Sequence, residues 1–336
     1  MPTHYRVTRH RCGKGFTYRD MSGNTLTDRR WRQWIQQLAV PPAWRDVEIT
    51  LEPEARIHAT GRDGAGRKQY IYNSEWREQR EKMKFDRIVD FAQGLSTMRR
   101  ITGQHMAREG MPREKVLACM VRLLDTAYFR PGSESYRDQN DTFGLTTMRS
   151  RHLTINGSEL VFDYQGKSGQ RQHKVVEDEK LSTIVRELDD IPGYEIFKYF
   201  DESGRKVRID SHDLNDYIHD VMGERFSAKD FRTWAGTSIA ALALDELGPG
   251  EDDKSSQQHI RSAVERVAAT LGNTPNVARS SYIDPRVIES YLDGRLLRHF
   301  LEQIEEALEH EEMTGPEELA ILDMLKSRLE KRLEAP

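Results

Sequence analysis

Residues 66–106 read GRKQYIYNSEWREQREKMKFDRIVDFAQGLSTMRRITGQHM, and a change of texture inside that stretch decides the fold. KQYIYN (68–73) alternates and carries the β-favouring residues Tyr and Ile. From Glu75 the text becomes helical: Glu, Arg, Gln, Lys and Met dominate, with no proline up to Met106. Upstream, residues 1–75 read as short strands such as VEITL, punctuated by Gly13, Gly15, Gly23, Gly61, Gly64 and Gly66. One helix is expected near 27–38, capped by Thr27 and stopped by Pro41-Pro42. The fold class is α+β, with a β-rich front over 1–75 and a larger, mainly helical part over 76–315. A charged terminal helix or tail follows over 316–336.

The chain has 336 residues, 32% charged and 37% hydrophobic, which suits a soluble protein of two or three domains. No stretch approaches the roughly 20 apolar residues of a membrane helix. The basic N-terminus has no apolar run behind it and does not read as a signal peptide. Cys12 and Cys119 lie far apart with no metal-ligand spacing. A reducing compartment fits, a bacterial or viral-type cytoplasm. Net charge is −4, unevenly spread. Residues 1–72 hold 13 Lys/Arg against 7 Asp/Glu, whereas 301–336 hold 4 against 11. A basic front suits nucleic acid, since local potential governs binding. The acidic tail reads as a solvated helix.

Downstream, REKVLACMVRLLDTAYF sets Val116, Met120, Leu123, Leu124 and Ala127 on one helical face. A β-rich island runs from Phe143 to Val176, with hairpin turns at Asn156-Gly157 and at Gly166-Lys167-Ser168-Gly169. Helical text resumes near 178 and continues to about 311. The stretch GPGEDDKSSQQ (248–258) reads as a polar loop.

Four segments set reactive residues beside structural punctuation. FRPGSESY carries Arg130 at an expected helix end before Pro131-Gly132, and GKSG puts Lys167 on a hairpin tip. In SAKDFRTWAGT a helix capped by Ser227 would show Lys229 and Arg232 on one face. LGNTPNVARSSYIDP places Asn273 before a Thr-Pro turn and Tyr282 nine residues later. Each alone is ordinary: a surface arginine, a soluble turn, a packing tyrosine. Together they suit transfer of a DNA phosphoryl group to Tyr282. Arg130 and Arg232 can bond equatorial phosphate oxygens without losing their protons, and Asn273 can add a neutral donor. Such fixed cations can replace a metal. Lys167 or Lys229 can protonate the departing 5′-oxygen.

These blocks resemble those of the type IB DNA topoisomerases, in particular the small poxvirus-like group with bacterial members. The similarity covers about residues 40–295. It implies the tyrosine recombinase/topoisomerase IB catalytic fold, a small β-hairpin sheet, and a C-shaped clamp on double-stranded DNA. By match the active site is Arg130, Lys167, Arg232, Asn273 and Tyr282, with Lys229 assisting leaving-group protonation. The poxvirus branch carries His where Asn273 stands. Asn273 keeps a hydrogen-bond donor but does not titrate. GRKQYIYN resembles a DNA-facing stretch, so that Gln69, Tyr70 and Tyr72 touch DNA with Arg67 and Lys68 nearby. Tyr72 packed on the sheet is the competing reading. Tyr136 matches a further DNA contact. The implied activity is relaxation of both signs of supercoil through a 3′-phosphotyrosine. It needs neither ATP nor an obligatory metal, with Mg2+ allowed as a stimulant. A monomer, cytoplasmic and nucleoid-associated, without membrane contact, completes the expectation.

Two rivals share parts of this pattern. Tyrosine recombinases use similar arginine, lysine and tyrosine logic, but usually show His-x-x-Arg where this chain has Lys229-Asp230-Phe231-Arg232. A non-catalytic DNA-binding relative would not need the whole residue set.

Overall fold

The computed structural model describes residues 6–64, 66–304 and 315–334. Two compact units divide the chain, Met1–Lys84 and Phe85–Pro336.

The first unit is built on an antiparallel sheet of β1 (Arg6–Cys12), β2 (Gly15–Asp20), β3 (Arg45–Thr50), β4 (Ile57–Arg62) and β5 (Lys68–Tyr72). The order is β2-β1-β3-β4-β5, which leaves β5 at an edge. Helix α1 (Arg29–Gln37) adds Ile35 to a core of Val7, Val47, Ile49, Leu51 and Ala59. Its cap is Asp28, whose carboxylate accepts from the Arg30 amide, not the expected Thr27. A charged acceptor at that place also suits the positive helix end. Helix α2 (Ser74–Met106) begins two residues after β5.

In the second unit α3 (Arg113–Ala127) is buried almost all round, not on one face alone, because Leu117, Ala118, Cys119 and Val121 are enclosed as well. It packs against α5 (Glu179–Asp190), α6 (Ser211–Met222), α7 (Ala228–Leu247), β8 (Arg171–Glu177) and β9 (Lys198–Phe200). A short helix, α4 (Glu134–Asn140), follows α3. β6 (Leu153–Asn156), β7 (Glu159–Gln165) and β8 form an antiparallel sheet. Asn156 pairs with Glu159, so the two-residue loop is Gly157-Ser158, one place later than expected. Gly157 supplies the positive φ there. β9 pairs with β10 (Lys206–Arg208) inside text read as helical. At three residues each, these strands are too short to leave a periodic signal.

The remaining helices are α8 (Asp253–Leu271), α9 (Pro275–Ser281), α10 (Pro285–Leu292), α11 (Leu297–Ile304) and α12 (Pro316–Glu334). Asp252 caps α8 by accepting from the Ser255 amide, so the loop expected to reach 258 ends at 252. The solvated-tail expectation fails over α12. Ala320, Ile321, Leu322, Met324 and Leu325 are buried against α7, α10 and α11. Burying the Ile, Leu and Met side chains among these is worth roughly 1.5–3 kcal/mol each, which outweighs the mere presence of charge. Glu318 seals the contact by accepting from Arg99 and from Trp234 Nε1, while Arg99 also donates to Asp125. Among the described residues, no helix is long and apolar enough to cross a membrane.

Candidate active site

Helix α3 ends three residues before Arg130, not at it. Tyr128 turns left-handed at φ 57° and stops the helix. Phe129 then sinks fully into the core against Phe162 and Tyr164. That anchor fixes the irregular segment that carries Arg130. The Leu145 amide donates to the Arg130 carbonyl at 2.9 Å. Gly132 and Gly144 cross so closely that a Cβ on Gly144 would lie 2.5 Å from Gly132 Cα. The paired glycines therefore carry a packing function beyond turn formation.

Arg232 lies in the second turn of α7. Ser227 caps that helix, with Asp230 accepting from its amide and hydroxyl. Lys229 and Arg232 do not share an environment: Lys229 is exposed and Arg232 is 2% exposed. Arg232 donates to the carbonyls of Tyr128 at 2.5 Å and Leu271 at 2.8 Å. Two backbone acceptors thus hold the guanidinium rigid in the core. Arg130 donates to the Gly272 carbonyl at 2.8 Å and to Asn273 Oδ1 at 2.5 Å. The buried Nδ2 of Asn273 has no hydrogen-bond partner among the described residues. An unpaired buried donor is costly, and an incoming phosphate oxygen would satisfy it.

Tyr282 ends α9, which Thr274 caps and Pro275 opens. Its ring centre lies 5.1 Å from the Arg232 guanidinium carbon. Burial pushes its hydroxyl pKa up, but Arg232, Arg130 and Lys229 pull it below the ordinary phenol value. A phenolate nucleophile becomes easier to form by that balance. The backbone is clamped too. Thr237 Oγ1 donates to the Tyr282 carbonyl and accepts from the Asp284 amide. Asp284 and Arg286 form a buried ion pair at 2.6 Å, and Arg286 also donates to the Phe85 carbonyl. On α7, a Cβ at Gly236 would lie 2.6 Å from the Tyr282 carbonyl oxygen. Only glycine admits this approach.

Lys167 stands exposed in the β7–β8 turn, beside Ser168 at φ 63°. Arg130, Arg232, Asn273 and Tyr282 are therefore drawn together, Lys229 acts on Tyr282 through its charge, and Lys167 is held at the neighbouring hairpin tip. Two participants carry no motif. Gln172 is buried on β8 with its side chain against Gly166 and Gly272, where a Cβ on either glycine would overlap it. It braces the hairpin against the Gly272–Asn273 turn. Lys174, also on β8, sets its Nζ 5.6 Å from the ring centre of Phe129, the residue before Arg130, and the charges of both arginines act on it. Its inward place shows only in the register: β7 buries Leu160, Phe162 and Tyr164, and antiparallel pairing across the turn sets Lys174 opposite Phe162.

In the first unit, alternation on β5 splits the expected DNA-facing set. Tyr70 and Tyr72 are each 41% exposed, and Tyr72 stacks between Tyr70 and Trp76 at 5.9 and 5.2 Å. Lys68 lies over Tyr70, and Arg56 and Arg80 over Trp76. Gln69 and Arg67 instead donate to Asp63. The side chain of Tyr136 falls outside the described residues; its backbone belongs to α4.

The family model for the eukaryotic DNA topoisomerase I catalytic core matches residues 73–308, and the one for the bacterial DNA topoisomerase IB N-terminal domain matches 15–63. The chain belongs to the type IB DNA topoisomerase family. It is 28% identical to DNA topoisomerase 1B of Acanthamoeba polyphaga mimivirus over 292 residues, covering 85% of this chain and 87% of that protein. It is 25% identical to DNA topoisomerase 1B of vaccinia virus (strain Copenhagen) over 306 residues, covering 87% and 92%. A 127-residue stretch, 37% of this chain, is 30% identical to 15% of DNA topoisomerase 1 from Schizosaccharomyces pombe. As a member of this family the chain is an isomerase that relaxes DNA without ATP, through a transient phosphotyrosine.

Proposed function

We propose that Tyr282 is the nucleophile of this relaxation, attacking a DNA phosphodiester to form a 3′-phosphotyrosine and free a 5′-hydroxyl. The reading rests on the convergence of Arg130, Arg232 and Asn273 beside a tyrosine whose hydroxyl is acidified by those arginines. Arg130 and Arg232 neutralise the equatorial oxygens of the transition state, and Asn273 Nδ2 donates to one of them. Lys229, whose charge reaches Tyr282, and Lys167, exposed at the β7–β8 hairpin tip, supply the proton to the leaving 5′-oxygen. The free strand swivels and is resealed by the reverse step, for supercoils of either sign. The phosphotyrosine conserves the bond energy, so no nucleotide and no obligatory metal takes part, and Mg2+ acts at most as a stimulant.

In this reading residues 1–75 are a DNA-binding domain, 76–315 the catalytic domain of the tyrosine recombinase type, and 316–336 a C-terminal helix. The two domains close on duplex DNA as a C-shaped clamp. Tyr70, Tyr72 and Lys68 meet the DNA directly, with Gln69, Arg67 and Tyr136 as further contacts. The protein acts as a monomer in the cytoplasm, at the nucleoid. Relaxation of a supercoiled plasmid in EDTA without ATP tests the reading. Tyr282→Phe should abolish relaxation while DNA binding persists, and relaxation by that variant would remove Tyr282 from its role.

A further inference from the structure

We propose that Lys174 is a positioning residue of the phosphate site, setting a third positive charge behind Arg130 and Arg232 that is completed by a proton taken up when the phosphodiester enters. The proposal rests on the reading that these arginines hold the scissile phosphate.

Lys174 belongs to the inward face of β8. It alternates with buried Gln172 and Val176 and pairs across the sheet with buried Phe162. Its Nζ lies 5.6 Å from the ring centre of Phe129, the residue that anchors Arg130 in the core. The inward residues of β7 facing it are Phe162 and Tyr164. Tyr164 is a phenol whose pKa burial pushes up to about 12, so it is neutral and offers no counter-charge. The segment after α3 contributes Phe129 and Arg130, and α7 contributes Arg232. Helix α3 also packs on β8, but its buried ionisable groups are engaged elsewhere. Lys115 donates to the Arg108 and Gly110 carbonyls, Asp125 accepts from Arg99, and Cys119 is held as a neutral thiol by burial. The charges acting on Lys174 are thus those of Arg232 and Arg130, both of its own sign.

Three cations converging in a half-buried space are unfavourable unless an anion joins them. Burial, then Arg232, then Arg130, pull the Lys174 pKa down to about 8. Near pH 8 the empty site therefore holds a mixture of ammonium and amine. A phosphodiester between the arginines offsets their repulsion, and the Lys174 amine then binds a proton from solvent. The atom balance is one proton gained at Nζ as one DNA phosphate binds. No bond to Lys174 forms or breaks, and its charge reaches the phosphate through the arginines it flanks.

The test uses the full chain and a nicking-type DNA substrate whose short 3′ fragment dissociates after cleavage, so one turnover is read at each pH from 6 to 10. At limiting enzyme–DNA encounter, wild type should lose rate above pH 8, while the saturated rate should hold to higher pH. Lys174→Met should lower cleavage about ten-fold or more at pH 7 and erase the pH 8 limb. Lys174→Arg should restore the rate without that limb, since arginine does not titrate there. Titration calorimetry of DNA binding at pH 8 in two buffers of different ionisation heat should show proton uptake by wild type and less by Lys174→Met. Wild-type rate, limb and proton uptake in a folded Lys174→Met protein would overturn the proposal. Arg130→Ala and Arg232→Ala serve as controls. If they cleave normally, the phosphate-site reading fails; if they are inactive while Lys174→Met is normal, only the Lys174 proposal fails.

Discussion

Arg130 donates to Asn273 Oδ1 at 2.5 Å, and that bond turns the Asn273 amide so that its buried NH2 group finds no acceptor among the described residues. One arginine thus orients a neighbour's donor as well as offering its own. Asn273→Ala should lower the cleavage rate about ten- to a hundred-fold, within the range for loss of one transition-state donor, with little change in DNA affinity. Asn273→His should retain much of the rate and add a titration near neutral pH that wild type lacks at this position. Single-turnover cleavage across pH reads both.

The Tyr282 hydroxyl titrates below the ordinary phenol range, so cleavage at saturating DNA, where the phosphate already holds Lys174 protonated, should rise with pH and level off before the pH expected of a free phenol. Removing an attracting cation raises the pKa and moves that rise to higher pH. Lys229→Met should do so modestly, because Lys229 is exposed and screened. Arg232→Gln should move it further and also slow the plateau. A rise that stays fixed in both variants would assign it to another group.

Gly236→Ala puts a methyl group 2.6 Å from the Tyr282 carbonyl oxygen. Tyr282 must shift, and if it is the nucleophile proposed here, misplacement of this order costs about ten-fold or more in rate. Stability should fall by about 1–3 kcal/mol. DNA affinity should be nearly unchanged. Cleavage kinetics, thermal unfolding and filter binding separate the three effects.

Glu318 ties α12 to α2 and α7 through Arg99 and Trp234. Burial raises its pKa, but Arg99 lowers it further, and the net shift is downward. A depressed carboxylate stabilises the fold above its unfolded pKa, and that stability is lost as pH falls through the lower folded value. Glu318→Ala should therefore cost about 3 kcal/mol at neutral pH, the low end for breaking a buried pair, since Glu318 is partly exposed. The difference from wild type should shrink in acid. Denaturant melts at pH 7 and pH 4 check this.

On β5, Lys68→Ala and Tyr70→Ala should weaken DNA binding more than Gln69→Ala, because Gln69 is already bonded to Asp63. Losing the Lys68 charge should also lower the salt slope of affinity by about 1. Titrations at several salt concentrations give both numbers.

Arg130, Lys167 and Asn273 stood out as candidates because each adjoins a breaker that survives as text: Pro131-Gly132, Gly166 and Gly272. The β-to-helix change at Tyr72–Ser74 was equally plain. Packing was not. Charge in residues 316–334 masked an apolar face that shows only at helical spacing. Lys174 reads as a surface lysine until the β7–β8 register turns it inward. Gln172 and Gly236 matter through close approach of chains more than 40 residues apart in sequence, which local pattern does not encode.

Catalysis as proposed here turns on the covalent bond to Tyr282. The direct measurement is to trap the protein on a suicide DNA substrate, digest the adduct and locate the nucleotide-bearing residue and the DNA end it holds. The expected adduct is a phosphodiester joining Tyr282 to a DNA 3′ end, with a free 5′-hydroxyl on the departed strand. An adduct at another residue, or one joined to a 5′-phosphate, would contradict it.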